Sequence, residues 1–319
     1  PGNSWAALAS DFVESNGEPD ETWINERLGE PYRRPGLRTD ADDFLAIMRA
    51  TIDGEPPYKR GEVPPGVLVL TMSMDVQKDS VYYEVVGWGE QEGRWLIDYG
   101  VLACPQPPED GSDIAERLSQ EVRRDAALVE RLRRDPWTLV KDQIAAQYPR
   151  VDTGELERVR SWGVDSRHRR TEVYDLCRWG APDGRAFQGA GGEPMLDEFR
   201  LQKRFDEFDL YTLNTYAWKE AAFARMRRRP PALGAWRYPV DVSRAYALQL
   251  TAEERVEEPS KKGPKRYWRK RPGRQANHWW DCAVSGLAMA QILGLRMLTK
   301  ADRDIARRAE AQQSPPGPR

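Results

Sequence analysis

The chain has little cysteine, no excess of charge of either sign and no long uninterrupted apolar run, and each shortage removes a class of protein. Its three cysteines, Cys104, Cys177 and Cys282, lie far apart, are odd in number and never form a CxxC pair. That argues against a disulfide framework and a zinc knuckle, and for a reducing, cytosolic setting. A formal charge of -2, from 49 Lys and Arg against 51 Asp and Glu, gives no global pull on nucleic acid. Any such affinity must come from where charges cluster. The most apolar late stretch, 281–298, is interrupted by Asp281, Gln291 and Arg296, and the chain does not open on a basic region followed by an apolar one. No membrane span or signal peptide is indicated. No GxxxxGK[ST] loop occurs, so ATP hydrolysis is not expected of this chain. It starts at Pro1 instead of a methionine, which reads as a fragment or processed form with part of its biology upstream.

What is present suffices for a sizeable core, with 319 residues of which 39% are hydrophobic. Residues 1–66 carry two short helical patterns and end in Gly61-Glu62-Val63-Pro64-Pro65-Gly66, as an arm or linker would. From 67 the texture changes. The nearly continuous apolar run 67–76 suits a strand covered on both faces, and 80–89 and 94–101, each after a short polar turn, complete an antiparallel meander. Apolar residues at helical spacing predict an amphipathic helix over 114–132. A strand at 158–165, helices at 171–179, 216–227 and 244–256, a mixed region over 180–239 and a long helix at 276–298 follow. The chain ends in a C-terminal tail, 299–319, whose last residues, 314–319, read as disordered. The expected organisation is therefore an arm (1–66), an α/β domain (67–298) and a tail (299–319).

Three aspartates interrupt apolar surroundings: Asp75 at the end of the first strand, Asp165 at the end of a later one, and Asp281 early in the last helix. A buried carboxylate needs a partner, and a divalent cation is an effective one. Any one of them taken alone is more commonly a turn former or helix cap, and Asp165-Ser166 fits a cap well. The combination points elsewhere: β-β-β-α-β, with acids ending the first and fourth strands and a third on a terminal helix, is the layout of ribonuclease H-like nucleases. Asp79 and Glu84 are second-tier acids, Asp79 more suited to shaping a turn. His168 lies among Arg167, Arg169 and Arg170, where phosphate contact and a solvated helix start are equally open.

The segment Leu70-Thr71-Met72-Ser73-Met74-Asp75-Val76-Gln77-Lys78-Asp79, followed by Gly87-Trp88-Gly89, resembles the start of the nuclease domain in the lambda-type (GpA) large terminase family of tailed phages. Blocks at 23–31, 58–64, Gly163-Val164-Asp165-Ser166 with Val173-Tyr174, 249–254 and Asn277-His278-Trp279-Trp280-Asp281-Cys282 are similar to further family segments and keep their order. The resemblance implies a ribonuclease H-like endonuclease that cuts concatemeric double-stranded DNA with two ions of Mg²⁺ or Mn²⁺. Asp75, Asp165 and Asp281 would be the metal ligands and Asp75 would bridge both ions. It also implies a small terminase subunit and the procapsid portal protein as partners, no membrane, and the cytoplasm of the infected bacterial host as the setting. Some relatives have Glu where this chain has His278. Placed three residues before Asp281, His278 could ligate metal or shuttle a proton, or be a half-exposed histidine beside Trp279.

An acidic site on an anionic substrate needs a positive rim. Residues 260–275 contain eight Lys or Arg and no acid, namely Lys261, Lys262, Lys265, Arg266, Arg269, Lys270, Arg271 and Arg274, with Tyr267 and Trp268 among them. Such a run is usually a solvated loop, but a mobile loop or ribbon next to the acids suits salt-dependent phosphate contact. Two other readings stay open: a resolvase- or transposase-like nuclease, and a catalytically silent DNA-binding or scaffold module of a packaging machine.

Overall fold

The computed structural model describes residues 40–50, 52, 54–106, 113–190, 195–204, 207–258, 265–273 and 276–302. In chain order these form α1 (Ala41–Arg49), β1 (Val69–Val76), β2 (Ser80–Trp88), β3 (Arg94–Ala103), α2 (Ile114–Arg117), α3 (Gln120–Arg124), α4 (Ala126–Arg134), α5 (Thr138–Ile144), β4 (Gln147–Pro149) and β5 (Leu156–Asp165). There follow α6 (Arg170–Trp179), β6 (Gly184–Gly189), β7 (Phe199–Arg204), β8 (Phe208–Leu213), α7 (Thr215–Met226), β9 (Trp236–Arg237), α8 (Arg244–Leu250), β10 (Glu253–Glu258), β11 (Lys265–Lys270) and α9 (His278–Ile292). Two compact units result: the β10–β11 region, and a main unit made of the remaining described residues. The patterns read at 1–39 and 303–319 lie outside the described residues.

The main unit is built on a mixed sheet ordered β7-β8-β6-β5-β1-β2-β3-β9, with β4 paired to β5, and helices flank it. β1, β2 and β3 form the antiparallel meander that their alternation and short turns predict. β5 joins β1 in parallel, and β6 and β8 continue outward in parallel. Period two sorts β1 into two faces. Leu70, Met72, Met74 and Val76 pack with Trp162, Val164, Val173, Leu176 and Val140 in the core. Each such side chain stabilises the fold by about 1.5 to 3 kcal/mol through burial. Thr71, Ser73 and Asp75 look the other way, toward α9. The approach is close: a Cβ at Gly286 would lie 3.0 Å from the Ser73 Oγ. Both faces of β1 are covered, as the apolar run predicts, but one face is polar.

Three expected helices are corrected. The stretch 114–132 breaks into α2, α3 and α4, because Leu118 turns extended and Asp125 caps a new start by accepting from Leu128 N. The helix expected over 244–256 stops at Leu250, and Glu253–Glu258 pairs instead with Lys265–Lys270. The helix expected over 276–298 ends at Ile292, where Gly294 adopts a φ of 70° and a single 3-10 turn follows. Among the described residues no helix is long and apolar enough to cross a membrane.

Candidate active site

The site begins with register. Met74 pairs with Val164 across the parallel β1–β5 ladder, so Asp75 and Asp165 come next on neighbouring strands and share a face. Adjacent strands lie roughly 4.8 Å apart, so the two carboxylates face each other's field at close range. Asp75 is buried, and its Oδ2 accepts from Gln77 Nε2 at 2.9 Å. Asp165 is half-buried and accepts from Arg167 N at 3.0 Å in a local turn. Burial first, and the Asp75 charge second, push the Asp165 carboxyl up to about 6, against the pull of the Arg167 N–H and of Arg167 and His168.

The first residue of α9 closes this corner. His278 Nδ1 lies 2.7 Å from Asp75 Oδ2, and its ring packs on Tyr82 with centroids 4.2 Å apart. With Asp75 ionised, the contact requires the proton on Nδ1, which sets the tautomer of the neutral ring. Asp281 follows one helical turn later. Its Oδ2 accepts from Asn277 Nδ2 at 2.9 Å, and its Oδ1 is 3.5 Å from Lys219 Nζ on α7. The structure therefore brings Asp75, Asp165 and His278 together and ties Asp281 to Asn277 and Lys219. Among the described residues no group of three or more His, Cys, Asp or Glu is arranged to hold a metal ion.

Of the second-tier residues, Asp79 lies in the β1–β2 turn with a buried Oδ1 that has no hydrogen-bond partner. Glu84 is fully buried on β2, bonded to Arg94 Nη2 at 2.7 Å and to the Tyr246 hydroxyl. His168 is exposed. Sequence reasoning did not find Gln77, Asn277 or Lys219 as partners of the acids. The one available signal was a lysine set among Trp218, Ala221, Ala222 and Phe223 on a helix.

The basic run is a strand of a two-stranded ribbon. β11 pairs along its length with β10, whose sequence is Glu-Glu-Arg-Val-Glu-Glu. Arg266 meets Glu257 at 2.8 Å and Arg269 meets Glu254 at 2.8 Å, so part of its charge is balanced within the ribbon. Lys265 stacks over Tyr267 with its Nζ 5.6 Å from the ring centroid, and Lys270 and Arg271 follow. Lys261, Lys262 and Arg274 lie outside the described residues.

A family model described as "Terminase large subunit gpA, endonuclease domain" matches residues 1–303. The chain is 25% identical to the terminase large subunit of Escherichia phage lambda over 305 residues, which is 92% of this chain and 42% of that protein. It is also 25% identical to the terminase large subunit of Enterobacteria phage P21 over 307 residues, again 92% and 42%. The chain thus spans well under half the length of these curated relatives. No solved structure matches.

Proposed function

Because the chain belongs to the family of the terminase large subunit gpA endonuclease domain, we propose that it cuts concatemeric double-stranded phage DNA during packaging, by metal-dependent phosphodiester hydrolysis. The observation that carries this reading is the side-by-side placement of Asp75 and Asp165 on adjacent parallel strands, with the Asp165 carboxyl pushed up to about 6. Two carboxylates that repel each other in a half-closed corner are hard oxygen donors in need of positive charge, and that suits Mg²⁺ or Mn²⁺. Asp75, Asp165 and Asp281 are the proposed ligands of two ions. Such ions supply Lewis acidity at the phosphate and a water of lowered pKa.

The protein's own groups do the rest. His278 holds Asp75 Oδ2 in place from Nδ1, and its second ring nitrogen is on the far edge of the imidazole, suited to a proton relay. Asn277 orients Asp281 from the residue before α9. A meander flanked by parallel strands, in the order β3-β2-β1-β5-β6, supports a ribonuclease H-like assignment. The ribbon residues Lys265, Arg266, Arg269, Lys270 and Arg271, with Lys261, Lys262 and Arg274, are proposed to follow the phosphate backbone with little sequence preference. By family, a small terminase subunit would choose the site, a portal protein would dock the assembly in the host cytoplasm, and residues 1–66 would connect the nuclease to a separate ATPase motor.

Mn²⁺-dependent nicking of supercoiled plasmid tests the reading. Asp75→Asn and Asp165→Asn should each lower it at least roughly a thousandfold, as loss of a metal-held carboxylate does in such centres. Undiminished nicking by a folded Asp75→Asn protein would remove Asp75 from the site, and no nicking by the wild type would leave a DNA-binding module in place of a nuclease.

A further inference from the structure

In the structure every acid at the candidate site already has a donor of the protein's own. Asp75 is held by Gln77 and His278, and Asp165 by the Arg167 N–H. Asp281 differs from both in facing a full positive charge: Lys219 Nζ, on α7, is 3.5 Å from Oδ1 while Asn277 takes Oδ2. The two side chains are unequally covered, Lys219 being 15% exposed and Asp281 37%. An ammonium largely withdrawn from water needs an anion nearby, and Asp281 meets that need. The two donors on Asp281 are also mechanically unlike. Asn277 is fixed at the start of α9, whereas Lys219 carries a compact charge on a four-carbon stem that can swing.

We propose that Lys219 is a resident counter-charge for Asp281, which a divalent cation must displace before it can share that carboxylate. The inference rests on the metal-dependent reading above and adds a positioning residue to it. A cation entering the corner competes with the lysine, so the DNA-free protein binds metal less tightly than its acids alone would. A DNA phosphate offers the released ammonium another anion. Metal and DNA therefore favour each other's binding, and by linkage they do so equally in both directions.

Mn²⁺ binding to the full chain, followed by loss of the free-ion electron paramagnetic resonance signal, tests this without any cleavage. Lys219→Met should tighten Mn²⁺ binding roughly fivefold, the scale set by a partly exposed ion pair. Lys219→Arg should restore the weaker binding. In an Asp281→Asn background, Lys219→Met should change nothing, because the anion through which it acts is gone. Adding a short non-cleavable phosphorothioate duplex should tighten Mn²⁺ binding in the wild type and do so less in Lys219→Met. Unchanged or weaker binding in Lys219→Met overturns the proposal, as does an equal effect in the Asp281→Asn background, which would mean a general field. Loss of Mn²⁺ binding in Asp75→Asn with no effect of Lys219→Met removes Lys219 alone. No Mn²⁺ binding by the wild type removes the metal-dependent reading too.

Discussion

Two acid clusters lie on the same face of the same sheet, and they are resolved in opposite ways. Glu84 pairs across the β1–β2 ladder with Ser73, two residues from Asp75 on the same strand. Its carboxylate is fully enclosed with Arg94, which stacks over Trp236 at 4.1 Å, and with the Tyr246 hydroxyl. Burial pushes the Glu84 carboxyl up to about 6 even against the pull of Arg94 and Tyr246. Asp165 is raised by burial as well, and there the second influence, Asp75, pushes in the same direction. One cluster is closed by its own cation. The other keeps an excess of negative charge at a half-open corner, the contrast on which the proposed catalytic role of its acids rests.

The contrast can be broken most forcefully at Arg94. Arg94→Met leaves Glu84 buried without its cation and should cost about 3 to 5 kcal/mol in urea unfolding, as breakage of enclosed ion pairs does. A cost below about 1 kcal/mol would mean that this pair is no more closed than the other.

Asp165→Asn should move stability in the opposite direction. Removing a carboxylate that opposes its neighbour should stabilise the metal-free protein at pH 7 by about 1 kcal/mol, less than the full shift implies because solvent at the half-open corner screens part of the repulsion. The sign follows from the raised folded value. Protonated Asp165 contributes stability in full below about pH 4, and that contribution is lost as pH rises through about 6. Denaturation between pH 4 and 7 should therefore show a decline in the wild type that is shallower in Asp165→Asn. Saturating Mn²⁺ should remove the Asp165 part of the wild-type decline and leave in place the part due to Glu84, whose carboxyl is also raised to about 6.

The smallest effect is expected in the ribbon. The Arg269–Glu254 pair is partly exposed, so Arg269→Ala should change thermal stability by less than about 1 kcal/mol. Its measurable consequence is a shallower dependence of DNA affinity on salt. A melting temperature that falls while the salt slope stays fixed would make the arginine a ribbon fastener and nothing more.

Much of this was legible in the linear chain, for identifiable reasons. β1, β2 and β3 announce themselves through alternation and short polar turns, and Asp75 and Asp165 stand out because charge ends an apolar strand. The helix at 114–132 misleads because its apolar spacing runs unbroken through Asp125, whose side chain competes for the backbone as a cap. Residues 253–258 carry no strand signature of their own. Their glutamates make sense only opposite Arg266 and Arg269, a complementarity visible across strands and not along one. The same holds for Lys219, which lies 62 positions from Asp281 and reaches it only because α7 and α9 lie side by side. Sequence periodicity says which face of an element is wet or dry, and it is silent on what stands opposite.

The two-sided character of β1 has a practical consequence for mutational screens. Met72 and Met74 point into the core while their immediate neighbours Ser73 and Asp75 face α9, and one backbone ladder fixes all four. A bulkier or smaller residue at Met74 disturbs the core and tilts the peptide that carries Asp75, so such a variant shifts the melting temperature and the site's geometry together. Hits along this strand need both assays before any of them is assigned to chemistry or to packing.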